Sequence, residues 1–196
     1  MSKLDDYFKN SSEVIKALEK DLVTIRRMAE GIYDCQLSGG KLLIGGNGGS
    51  CADAEHFAGE MTCTFKDRNR RGFAAVALAN NASAITAWAN DFDFDSYYSR
   101  QVEALGRHGD ILFVISTGGG DPESGASMNL VAAAEVALRK GIKLYSLVGK
   151  AGGELSRISH EHIKVDSFET SHIQEAHIAV IHAICMLLDE LAAKAE

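Results

Sequence analysis

The chain has a single proline, Pro122, in 196 residues. One proline leaves no proline-rich linker, and no stretch marks a domain boundary, so the length is read as one domain with its own core. Cysteine is scarce as well. Cys35, Cys51, Cys63 and Cys185 show no CxxC spacing and lack the density of a small secreted framework. That excludes a disulfide scaffold and predicts free thiols in a reducing cytoplasm. Excess positive charge is missing: the formal net charge is −7, which argues against nucleic acid or an anionic membrane as partner. The one basic cluster, Lys66 to Arg71, reads as a solvated loop after a helix. No apolar run approaches the roughly 20 residues that span a bilayer. The opening MSKLDDYFKN lacks the apolar core of a signal peptide. No internal repeat is visible.

What is there has the balance of a globular protein, with 46% hydrophobic and 24% charged residues. Leu4, Phe8, Ile15, Leu18, Leu22, Ile25 and Met28 recur at mostly three- and four-residue spacing, which predicts an amphipathic helix ending before Gly39 and Gly40. Residues 1–38 are thus a helical segment, placed either on a neighbouring subunit or on the chain's own sheet, and residues 39–196 form an α/β core. Five short apolar runs, Lys41–Gly45, Phe73–Ala77, Asp110–Ser116, Ile142–Val148 and His162–Val165, predict strands. Helical patterns lie between them at Ser50–Thr64, Ala82–Ala89, Ser96–Leu105, Ser127–Lys140 and Glu154–Ser159, and a last helix runs from about Ser171 to Ala193. Strands alternating with helices imply right-handed crossovers and a doubly wound parallel sheet of flavodoxin-like or Rossmann-like type. Such sheets bind ligands at the carboxyl ends of their strands, near a switch point.

Two turns carry the chemistry of anion binding. The first, Gly45-Gly46-Asn47-Gly48-Gly49-Ser50, leaves a strand and enters a helix. Glycines let backbone N–H groups approach an anion, the helix N-terminus adds its dipole, and Ser50 offers a hydroxyl and an N-cap. The loop is neither GxGxxG nor a GKS/GKT loop, so a nucleotide is not indicated; a tight turn without ligand is the plain alternative. The second turn runs from Ser116-Thr117 through Gly118–Glu123 to Ser124-Gly125-Ala126-Ser127. Hydroxyls beside a helix N-terminus suit a phosphate monoester, and Asp121 and Glu123 are expected to face outward.

A third constellation combines two helices. His56 and Glu60 stand at i and i+4 on one face. Gln174 and His182, eight residues apart on the last helix, lie on neighbouring faces. These four side chains suit a divalent metal such as zinc; equally, Glu60 and His182 suit a base and an acid. His177 reads as a hydrogen-bonded core residue. His108, His160 and His162 carry no assigned role, and His172 is placed just before the helix, in contact with substrate or in a solvated loop.

Four segments now resemble one family. GGNGGSCADAEHFAGE is similar to the NGGSAADAQHxAxE signature of bacterial phosphoheptose isomerases. Ala89–Phe94 resembles that family's A/G-N-D-Y-G-Y/F segment, Ser99–Gly106 its SRQVEALG run, and Ile173–Ile178 with His182 its IQExHIxxxH helix. The resemblance covers nearly the whole chain. It implies a single sugar isomerase (SIS) domain, a homotetramer with active sites at subunit interfaces, and cytoplasmic conversion of D-sedoheptulose 7-phosphate to D-glycero-D-manno-heptose 7-phosphate for lipopolysaccharide or capsule precursors. It implies zinc at His56, Glu60, Gln174 and His182. It implies substrate contacts at Asn47, Gly48, Gly49, Ser50, Glu60, Asn90, Asp91, Ser116, Thr117, Ser124, Ser127 and Gln174. Departures are present. Gly118–Glu123 interrupts the family's STSGNS, TDTS reads Asn80-Asn81-Ala82-Ser83, and His172 replaces an arginine. Non-catalytic relatives of this fold that bind the replication initiator tend to lose the acid at the Glu60 position, and a sugar-phosphate sensor would not need it. Its retention together with His182 favours an isomerase using Glu60 as base and His182 as acid–base partner.

Overall fold

The computed structural model describes residues 2–194. Helix α1 (Lys3–Lys16) opens on a capping box: Ser2 Oγ accepts from the Asp5 N–H, and the Asp5 carboxylate accepts from the Ser2 N–H. A 3-10 turn (Ala17–Asp21) separates it from α2 (Leu22–Leu37). The one N-terminal helix expected from periodicity is therefore two. Its halves rest on different supports. α1 buries no residue, whereas α2 buries Ile25, Met28, Ala29 and Ile32. The tighter turn absorbs the change of course.

The core then alternates: β1 (Leu42–Gly46), α3 (Gly49–Thr62), β2 (Ala75–Ala77), α4 (Ala82–Asp91), α5 (Tyr97–Leu105), β3 (Ile111–Ser116), α6 (Met128–Arg139), β4 (Lys143–Val148), α7 (Gly153–Ile158), β5 (Glu161–Lys164) and α8 (Thr170–Ala193). Every core boundary lies within two residues of the expected one. The five strands form one all-parallel sheet in the order β2-β1-β3-β4-β5.

Successive side chains on a strand point to opposite faces, and both faces are covered. Leu42, Ile44, Ile111, Phe113, Ile115 and Leu147 pack with residues of α2, α3 and α8. Leu43, Leu112, Val114 and Leu144 pack with Tyr98, Val102, Leu130 and Ala134 on the other side. This explains why β1 and β3, up to the closing Ser116, are apolar on both faces rather than alternating. By length and mean hydropathy (1.6), α8 is apolar enough to cross a membrane, which no unbroken apolar run in the sequence suggested. Its Ile173, Ala176, Val180, Ile181, Ile184 and Leu188 are buried in the core, so its apolarity is that of a core helix.

Candidate active site

The strand order reverses between β1 and β3. The chain passes from β1 to β2 on one side and from β3 to β4 on the other. The carboxyl ends of β1 and β3 therefore flank the switch point, and each carries one of the glycine-rich turns. Gly46 pairs with Ile115, which places Ser116 one step beyond it.

The first turn is set by its glycines. A Cβ at Gly46 would collide with the Ser50 carbonyl. Gly48 has φ 56° and ψ −121°, a conformation open to glycine alone, and it is the N-cap of α3. This corrects the expectation for Ser50. Because the positive φ is needed at 48, the cap falls there. Ser50 sits inside the first helical turn, 3% exposed. The N–H groups of Asn47 and Gly48 meet no acceptor among the described residues, as an anion site requires. The Asn47 side chain is not free. It exchanges two hydrogen bonds with Asn129, at 2.9 and 3.0 Å, and Asn129 Oδ1 also accepts from the Leu130 N–H. Asn129, 3% exposed, thus ties the first turn to the start of α6. Nothing local in the sequence marks it; the pairing spans 82 residues. From below, Tyr98 donates its hydroxyl to the Gly46 carbonyl.

The second turn is longer. Ser116 Oγ accepts from the Gly119 N–H (3.0 Å) and lies 3.2 Å from Ser127 Oγ. Ser127 occupies the left-handed region (φ 59°) as N-cap of α6 and makes no side-chain cap bond. These two hydroxyls, with the half-buried Thr117 beside them, are brought together as expected. Ser124 is not among them. Its exposed hydroxyl donates to Asp121 (2.6 Å), and that bond, with the Glu123 N–H, holds the Asp121 carboxyl below its ordinary pKa. A carboxylate so close disfavours a phosphate dianion there. Asp121 and Glu123 are exposed, as expected. Of the intervening glycines, Gly119 and Gly120 face inward: a Cβ at Gly119 would collide with the Gly152 backbone, and the Glu154 and Leu155 N–H groups donate to the Gly120 and Gly119 carbonyls.

Helices α3 and α8 bring three of the four predicted side chains together, His56, Glu60 and His182, while Gln174 lies against Gly49 of the first turn. His56 Nε2 is 3.0 Å from His182 Nε2 and 3.4 Å from Glu60 Oε1. The Glu60 side chain is 22% exposed and that of His56 44%. One end of α8 meets the first turn directly, since a Cβ on Gly49 would collide with the Gln174 amide. Asp53, one turn before His56, keeps Oδ2 buried without a partner among the described residues, and burial raises its pKa against the opposing pull of His56. Asn90 and Asp91 end α4, exposed, and bond to one another (2.8 Å) rather than to either turn. His172 differs from expectation: it lies inside α8, 6% exposed, its ring against Tyr7 of α1 (4.7 Å between centroids). α8 begins at Thr170, before it, and α1 covers that end. His177 is a core residue as expected. It is fully buried, it reaches the Val148 carbonyl (3.1 Å), and burial pushes its pKa down to about 4. His160 serves structure, its Nδ1 accepting from the Leu144 N–H.

Among the described residues no three His, Cys, Asp or Glu side chains close around one point. The donor chemistry nevertheless fits a zinc ion. Two imidazole nitrogens bound to one tetrahedral zinc lie about 3.3 Å apart, near the observed separation, and Glu60 adjoins them.

The sequence profile of the SIS domain matches residues 6–149. The chain is 40% identical to a probable phosphoheptose isomerase of Thermoplasma volcanium, over 95% of this chain and 90% of that one. It is 42% identical to the phosphoheptose isomerase of Geobacter sulfurreducens, over 91% of each. The chain belongs to the SIS-domain family of phosphoheptose isomerases. Its fold agrees: the phosphoheptose isomerase structure from Neisseria gonorrhoeae superposes with a TM-score of 0.87 at 37% identity, covering 96% of this chain and 97% of that one. The structure from Francisella tularensis gives 0.88 at 31% identity, covering 97% and 100%.

Proposed function

We propose that this member of the family is an aldose–ketose isomerase that converts D-sedoheptulose 7-phosphate to D-glycero-D-manno-heptose 7-phosphate in the cytoplasm. The observation that carries the reading is the convergence of His56, His182 and Glu60 from two helices, α3, which starts at the first glycine-rich turn, and α8, which meets that turn through Gln174. Relatives of 40% identity named as phosphoheptose isomerases support the substrate class.

The free N–H groups of Asn47 and Gly48 and the hydroxyls of Ser116 and Ser127 bind the phosphate end, and this remote binding fixes the reacting carbons. Glu60 takes the proton from C1 of the ketose, leaving an enediolate across C1 and C2. His182 moves the hydroxyl proton between O1 and O2, and Glu60 returns its proton to C2, which completes the aldose. When bound, zinc held by His56, Glu60, Gln174 and His182 supplies Lewis-acid polarisation of the carbonyl. Glu60 cannot be a tight ligand and a free base at once, so metal occupancy and basicity compete for it.

Incubating the protein with sedoheptulose 7-phosphate, with and without added zinc, should yield the aldose; no turnover in either arm overturns the assignment in favour of a scaffold or sensor. Glu60→Gln should lower turnover by about 10²- to 10⁴-fold while circular dichroism stays unchanged. We further propose a homotetramer, supported by the apolar stripe on α1, where Leu4 and Phe8 are each 65% exposed. Light scattering should give four times the chain mass, and Phe8→Glu should reduce it.

A further inference from the structure

The basic cluster Lys66–Arg71 lies in the loop between α3 and β2, and it is not uniformly solvated. Arg70 is buried, with 2% of its side chain exposed. Its Nε donates to Asp189 Oδ1 of α8 at 2.7 Å. Its Nη2 donates to the Glu60 carbonyl at 2.8 Å, and its Nη1 to the carbonyls of Met61 (3.3 Å) and Arg71 (2.8 Å). The guanidinium also lies over the Phe73 ring, 4.5 Å from its centroid. Asp189 Oδ2 accepts from the N–H groups of Lys66 and Asp67, each at 3.0 Å. One ion pair therefore joins the carbonyl end of α3, the loop and α8.

The loop so held presents Phe65 to the site. Its ring stacks on the His182 imidazole, with 5.6 Å between centroids and 25° between planes. Asp189 lies two turns beyond His182 on the same helix face. The backbone that Arg70 grips on α3 is that of Glu60 itself. A buried ion pair is by itself a poor source of stability, because desolvation offsets much of the attraction. This pair does what an apolar pair cannot: its directed donors fix a carbonyl and a carboxylate at once.

We propose that Arg70 is a positioning residue for the reaction: it pins the Glu60 end of α3 to α8 and holds Phe65 against His182, so that base and imidazole keep their mutual geometry. The proposal rests on Glu60 and His182 being the reacting groups. A misplacement of about 1 Å in such a pair costs about 10²-fold in rate. The phosphate-binding turns lie at the opposite end of α3 and have their own supports.

The test compares Arg70→Lys, Phe65→Ala and Phe65→Tyr with the wild type. Lysine keeps the charge but lacks the fork that reaches Asp189 and Glu60 together. Arg70→Lys should lower kcat by about 10²-fold with KM for sedoheptulose 7-phosphate within about twofold. Phe65→Ala should lower kcat by about tenfold, and Phe65→Tyr should restore it. A second readout does not depend on turnover. The ring-proton NMR signals of His182, assigned by their loss in His182→Gln, should shift in both Arg70→Lys and Phe65→Ala, and stay in place in Phe65→Tyr. A folded Arg70→Lys protein with wild-type kcat and unmoved His182 signals overturns the proposal, as does a rise in KM at constant kcat. If the wild type isomerises no heptose phosphate, the function assigned above fails, and the NMR arm alone decides whether Arg70 holds the imidazole.

Discussion

Two glycine pairs at the switch point, Gly48 and Gly49 of the first turn and Gly119 and Gly120 of the second, serve opposite purposes. In the first, Gly48 has open space where a side chain would sit, and Gly49 lies under the Gln174 amide. These glycines keep the site clear. In the second, Gly119 and Gly120 press against Gly152, Gly153 and Val131, with positive φ at both. These glycines let one turn dock on another. Glycine content alone is therefore no index of ligand binding; the direction in which the missing Cβ would point decides it.

That contrast can be broken or sharpened by experiment. The largest expected effect is on the docking side. Gly119→Ala should lose about 3 kcal/mol or more of stability in urea unfolding, since both φ and the Gly152 backbone forbid the methyl. A loss below about 1 kcal/mol would show that the second turn is free to move. Acid should act on the same side, because His177 bonds the Val148 carbonyl just before the Gly149–Gly153 turn. Its folded pKa of about 4 lies below the ordinary value of 6.5. Between these two pH values the unfolded chain binds a proton that the folded chain refuses, so stability falls as pH falls from 6.5 and levels off near 4. The full loss is about 3 kcal/mol. Urea midpoints at several pH values should show this slope in the wild type and not in His177→Gln. Asn129→Leu severs the link between the turns and should cost about 1–2 kcal/mol of stability while raising KM more than it lowers kcat. Gly49→Ala should be the mildest for stability, within about 0.5 kcal/mol, because a flexible amide can give way. It should lower turnover several-fold by displacing Gln174, and a stability loss matching that of Gly119→Ala would erase the distinction between the turns.

The same contrast explains what could be read in advance. Strands such as Ile111–Ser116 and the helix pattern of α8 announce themselves, because burial on a face imposes a local period. His56 and Glu60 are legible because one helical turn relates them. Their meeting with His182 is 126 residues away in sequence, and it became legible through family resemblance rather than through spacing. What escaped was long-range and polar. Asn129 pairs with Asn47, and Arg70 sits inside a run that otherwise looks solvated. One sign was available: Asp189 falls on the apolar face of α8, where a lone carboxylate requires a cation. The break at Ala17–Asp21 escaped because apolar spacing continues through it, while the supports on its two sides differ. Ser124 escaped because a turn-forming aspartate three residues earlier claims its hydroxyl.

The rims of the sheet carry one more consequence. β2 has only three residues, and β5 has four, with Glu161 and Lys164 at its ends. Such short rims, the second of them also charged, offer a foreign strand little to pair with. A parallel sheet assembles slowly from distant segments, and during that interval this chain is guarded against templated aggregation. Concentrated solutions should therefore refold without fibrils, and lengthening β2 by apolar residues is the change that would forfeit this protection.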